Sequence, residues 1–241
     1  MPQRGDTSPD PKERRAAVAK MFAHDFRNPI SALSANVSYL QAELTDVPPN
    51  VRGAVDDCAL STGMLRHLVD NFVLIARLEA GEHLEAGPLP LRQFVSSVLS
   101  ASRALVSMSE VELVLEGEVP DEICTFELPY ATLVLKNLLV AAAAQAVGTG
   151  GRVTLRVTSG GGRARFSVCD TGPVVDAPQR DALLTLDLQL RAKSQPGLRY
   201  ARGFGLYAAG LGAAFLGGGT SAGVRDGLFE IVAAIPLERG G

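Results

Sequence analysis

From Phe26 onward, apolar side chains recur at alternating spacings of four and three: Phe26, Ile30, Leu33, Val37, Leu40 and Leu44. That rhythm places all six on one face of a helix and defines a heptad seam. The stretch TDVPPN ends the helix, because proline lacks a backbone donor and crowds the preceding turn. A second seam follows through Val51, Val55, Cys58, Leu65, Val69, Phe72 and Ala76, interrupted by Thr62. Two seams joined by so short a connection predict an antiparallel helical hairpin over residues 15–80. Two helices alone leave apolar surface bare, and pairing with a second copy into a four-helix bundle is the usual way to cover it. A homodimer is the expectation.

The composition changes at GEHLEAGPLP, residues 81–90, where glycine and proline cluster. This reads as a linker to a second unit over residues 91–238. There LRQFVSSVLSASRAL predicts a helix, VELVLEG and EICTFE strands, and LPYATLVLKNLLVAAAAQA a long apolar helix. VTLRVTS and ARFSVCD alternate as strands on either side of GGGR and predict a hairpin. YAAGLGAAFLGG reads as a helix of small residues and LFEIVAAIPL as a last strand. The fold class is therefore α+β: the hairpin, then helices layered on a mixed sheet. The polar opening, residues 1–14, reads as a flexible tail.

With a formal net charge of −3 and aromatics at 5% without tryptophan, the chain has no basic footprint and few stacking platforms, which argues against nucleic acid as a partner. Cys58, Cys124 and Cys169 show neither metal-ligand spacing nor a paired framework, and read as small buried hydrophobes in a reducing compartment. No uninterrupted apolar run approaches the roughly 18 residues of a membrane span, and the N-terminus lacks an apolar signal core. A cytoplasmic protein without a membrane span is the expectation.

Chemistry concentrates in AHDFRNPISAL, residues 23–33. His24 stands two positions before the seam residue Phe26 and so points outward, with Asn28 one turn further on. An exposed helical histidine is ordinarily surface decoration. Pro29 alters that reading, because a proline inside a helix costs about 3 kcal/mol and suggests a kink kept for a purpose.

HDFRNP resembles the phosphoacceptor box of two-component sensor histidine kinases: histidine, an acidic residue, two variable positions, Thr or Asn, then proline. The resemblance implies that His24 is the phosphorylated imidazole, that Asp25 orients it and accepts its proton, and that Asn28 orients a water when a phosphorylated response regulator is hydrolysed. An imidazole near neutral pH is a competent nucleophile and benefits from an adjacent base. His67 and His83 lack that neighbour and read as hairpin surface and linker residues.

Residues 90–237 resemble the family's ATP-binding domain, an α/β sandwich known as the Bergerat fold. CDTG is similar to its first glycine box, in which Asp170 would accept from the adenine amino group and Gly172 would let the backbone approach the base. GFGL is similar to the second, in which Gly203 and Gly205 would offer backbone N–H groups to phosphates at a helix start. Lys193, Arg199 and Arg202 lie where the family has a lid and would screen phosphate charge. Asn137 keeps the first position of the family's NLxxNA. Ala141 replaces the asparagine that holds magnesium there, Val174 replaces a glycine of the first box, and DALLTLDLQL contains no clear phenylalanine box. The resemblance implies ATP and magnesium as cofactors, with binding at the phosphates impaired. GFGLYA also fits the GxGxxA dinucleotide fingerprint, but it follows the charged LRYAR and not an apolar strand.

The leading expectation is a histidine kinase that moves a phosphoryl group from ATP to His24 and on to an aspartate in a response-regulator receiver domain, with its input supplied by a separate sensory protein. The alternatives are a histidine phosphotransferase or pseudokinase with a degenerate ATP-binding domain, and a non-catalytic dimeric scaffold. The receiver is expected to dock around Asn28, Ser31 and residues 68–71.

Overall fold

A computed structural model describes residues 11–107, 111–146, 151–186 and 201–238. Two long helices, α1 (Pro11–Glu43) and α2 (Pro49–Glu79), form the hairpin. α1 begins inside the segment expected to be a tail, and its helix is unbroken through Pro29. Pro49 sits in the first turn of α2, where its missing N–H costs nothing. At the turn, Arg52 donates to the carbonyls of Gln41, in the last turn of α1, and Leu44 just after it, where a helix end leaves carbonyls without intrahelical donors. Arg27 donates to Asp70 (2.9 Å) and Arg66 to Ser34 (2.9 Å), tying the helices along their length.

The seam divides between an inner and an outer face. Ala16, Ala23, Ile30 and Val37, each seven residues apart, are buried. The alternate members Phe26, Leu33 and Leu40 remain 50%, 47% and 41% exposed, as do Leu65 (42%) and Phe72 (49%) on α2. Cys58 belongs to this exposed set, so the expectation of three buried cysteines holds only for Cys124 and Cys169.

The end of the expected linker forms β1 (Leu89–Pro90), and beyond it come α3 (Leu91–Ser107), β2 (Glu112–Glu116), β3 (Ile123–Cys124), α4 (Leu128–Ala146), β4 (Arg152–Gly160) and β5 (Arg163–Asp170). The short α5 (Ala177–Arg180), then α6 (Ala201–Phe215), β6 (Gly219–Arg225) and β7 (Leu228–Pro236) complete the described chain. The main sheet has the order β2-β4-β5-β7-β6, with β2 parallel to β4 and the other pairs antiparallel. GFGLYA lies inside α6, which leads into the antiparallel β6–β7 pair and not into a parallel βαβ unit, against the dinucleotide reading.

Gly161 and Gly162, both with positive φ, make the tight β4–β5 turn. Asp226 and Gly227 do the same between β6 and β7. Val153, Leu155 and Val157 alternate with Arg152, Arg156 and Thr158 along β4, so one face of the sheet meets the helices. Phe94, Phe126 and Phe166 meet edge to face at 5.3–6.4 Å in that core.

α4 is the central core helix. By length and composition it is apolar enough to cross a membrane, which no run was expected to be, yet 67% of it is buried within the fold. Its burial among helices and sheet accounts for a nearly all-round apolar surface. A second, smaller apolar cluster joins hairpin to sheet domain: Ile75 and Leu78 of α2 pack with Tyr130, Leu133 and Ala208.

Candidate functional site

His24 and Asp25 stand on the outer side of α1 with side chains 76% and 81% exposed. Their spacing follows from the seam, since burying Ala23 and Ile30 turns positions 24 and 25 outward. Nδ1 of His24 lies 3.4 Å from Oδ1 of Asp25. A proton on Nδ1 is thereby held toward the carboxylate, and the lone pair of Nε2 faces open solvent, the arrangement a nucleophile needs. Asn28 and Ser31 are exposed beside it. Arg27, one turn away, lines a cleft of about 510 Å³ with His67, Asp70, Asn71, Arg77 and Lys136.

The sheet domain assembles its candidate residues along α4. At one end Asp170, buried at the end of β5, accepts from the Gly172 backbone N–H (2.9 Å). A Cβ on Gly172 would lie 2.4 Å from the Gln145 carbonyl oxygen, so only glycine fits this turn against α4. About 12 Å away, eight residues back along the helix, is Asn137. A Cβ on Gly205 would meet its Oδ1 at 2.7 Å. α4 thus brings Asp170 with Gly172, and Asn137 with Gly205, to two stations on one helix.

Several expectations need correction. α6 starts at Ala201, not near Tyr207, so GFGL lies inside its opening turns. Arg202 and Gly203 fall in the first turn of α6; Lys193 and Arg199 lie outside the described residues. His67 is not hairpin surface: it is 5% exposed, and its Nε2 donates to Oδ1 of Asn137 (3.0 Å). Burial, with the Lys136 cation nearby, pushes its pKa down to about 4. His83 is no idle linker residue either, since its Nδ1 lies 2.9 Å from the buried Glu127 carboxylate and its ring packs on Phe215. Glu127 also accepts from the Leu84 backbone N–H (2.6 Å), fastening the linker to the sheet domain. Asn71, expected in a partner-docking patch, is 1% exposed beneath the sheet domain. These contacts are between elements far apart in sequence, and spacing carries no trace of them.

Ala141 is 2% exposed within the main core, and no cluster of His, Cys, Asp or Glu among the described residues is arranged to hold a metal ion. The residues present do not fit magnesium, which demands several oxygen ligands.

Residues 14–81 match the model of the His Kinase A (phospho-acceptor) domain. The match is confined to the hairpin and says that this part of the chain is similar to a phospho-acceptor domain. The chain is 30% identical over 157 residues to the probable sensor histidine kinase TcrY of Mycobacterium tuberculosis, an alignment covering 64% of this chain and 32% of TcrY. It therefore spans about a third of that relative. Full-length ShkA, solved with AMPPNP, superposes with a TM-score of 0.61 at 22% identity over 94% of this chain and 47% of ShkA. The nucleotide-free catalytic domain of the histidine kinase ThkA superposes with a TM-score of 0.54 at 16% identity, covering 65% of this chain and 100% of that domain. These likenesses establish the fold of the sheet domain as that of a histidine kinase catalytic domain.

Proposed function

We propose that the chain is a histidine kinase in which Nε2 of His24 attacks the γ-phosphorus of ATP. The bond from that phosphorus to the β–γ bridging oxygen breaks, ADP departs with the electron pair, and Asp25 takes the Nδ1 proton. A receiver-domain aspartate then attacks the phosphohistidine, and the imidazole leaves. The observation that carries this reading is the outward His24–Asp25 pair on a His Kinase A hairpin. Asp170 and Gly172 are the residues suited to an adenine; Asn28 is suited to positioning water. The exposed half-seam through Phe26, Leu33, Leu40, Leu65 and Phe72 supports a homodimer. A cytoplasmic location, with input from a separate sensory protein, belongs to the same proposal.

Leu33→Asp is expected to convert dimers to monomers in light scattering at micromolar concentration, because carboxylates at a closed seam have no partner. A monomeric wild type would remove this part of the proposal.

One observation favours a second reading, a histidine phosphotransferase that takes its phosphate from a receiver: Ala141 gives a metal no oxygen. Ala141→Asn separates the two. Buried without a ligand, the new amide is expected to cost about 1–3 kcal/mol in thermal unfolding. If the kinase reading holds, it should also raise magnesium-dependent labelling by ATP severalfold. A variant labelled no better than wild type, while a phosphorylated receiver labels both, favours the phosphotransferase.

A further inference from the structure

We propose that α2 gates the phosphate end of the sheet domain by locking Asn137: His67 and Asn71 hold its carboxamide, and a nucleotide polyphosphate engages Asn137 only once α2 has released it. This rests on reading Asn137 as a nucleotide-contacting residue.

A primary amide has two N–H donors and a carbonyl oxygen with two acceptor positions. All four are used within the protein. Nδ2 of Asn137 donates to Oδ1 of Asn71 (2.9 Å) and to the Leu133 carbonyl (2.8 Å). Its Oδ1 accepts from Nδ2 of Asn71 (2.8 Å) and from Nε2 of His67 (3.0 Å). The orientation is fixed, because turning the amide over would set its oxygen against the Leu133 carbonyl. No side-chain polar atom of Asn137 is left for a ligand, and a Cβ at Gly205 in α6 would clash with the same oxygen.

The three side chains are 1–5% exposed, and such a network is stable only while every member is satisfied. Releasing α2 exchanges these bonds for water or phosphate oxygens. The neighbouring apolar cluster of Ile75, Leu78, Tyr130 and Leu133 holds α2 in place, so the polar trio sets which residue is masked.

The test titrates the full chain with a non-hydrolysable ATP analogue while small-angle scattering follows its dimensions. His67→Ala and Asn71→Ala each remove part of the lock and are expected to expand the particle and tighten analogue binding about fivefold. His67→Gln keeps a donor near the Nε2 position and should behave as wild type. The wild type should itself expand on saturation, which tests the gate even if a variant fails to fold. Unchanged scattering in both alanine variants overturns the lock. Expanded variants that bind the analogue no better than wild type overturn the gate. Expanded variants with no uptake by any form overturn the reading of Asn137 as a nucleotide residue, and the gate falls with it.

Discussion

Substituting His24 by alanine is expected to lower phosphohistidine on this chain on the order of a hundredfold or more, whether the donor is ATP or a phosphorylated receiver domain. The other two histidines are occupied. His67 is buried with Nε2 committed to Asn137, and His83 is held between Glu127 and the Phe215 ring. His83 also has a carboxylate behind its Nδ1, but its ring is packed against Phe215; His24 is the more exposed imidazole, with Asp25 behind Nδ1 and no ring stacked on it. Because the side chain is 76% exposed and packs on little, the substitution should leave the unfolding temperature nearly unchanged. Retained labelling in a folded His24→Ala protein would mean that another residue is the nucleophile.

Acidification should loosen the hairpin from the sheet domain. Buried His67 has its pKa lowered from 6.5 to about 4, so the docked form binds fewer protons than an undocked form with an ordinary imidazole. Docking is fully favourable above pH 6.5 and weakens as pH falls from 6.5 toward 4. The loss approaches about 3 kcal/mol below that window, since each pKa unit is worth roughly 1.4 kcal/mol. Of the groups facing His67, Lys136 from α4 opposes a positive charge there, whereas the hydrogen bond to Asn137 and the carboxylate of Asp70 favour it; Arg27 from α1 and Arg77 from α2 line the same cleft, and burial outweighs the favourable contacts. The radius of gyration should rise between pH 7 and pH 4 in the wild type. His67→Gln should lose the part of the response centred between those pKa values; an identical profile in both would show that other groups govern docking.

The hairpin was legible because its seam repeats every seven residues and both prolines at its turn are punctuation with a mechanism. The outward His24–Asp25 pair was legible because both residues sit in one short box. β6 escaped notice because GTSAGVR lacks the branched and aromatic residues that mark a strand, although the Asp226–Gly227 turn before LFEIV announced a hairpin. The role of His67 was not legible at all. Its position off the second seam looked external because nothing in the local pattern says that a sheet domain covers that face. Asn137 was found by its motif, yet its saturation by α2 depends on residues 66 and 70 positions away in the chain.

The most direct measurement is a map of where the phosphoryl group goes. The full chain is incubated separately with γ-labelled ATP and with a labelled phospho-receiver, then digested and sequenced. The account predicts an acid-labile, base-stable label on the peptide carrying His24 from at least one donor. An acid-stable label, a label on the peptides carrying His67 or His83, or no label from either donor would contradict it.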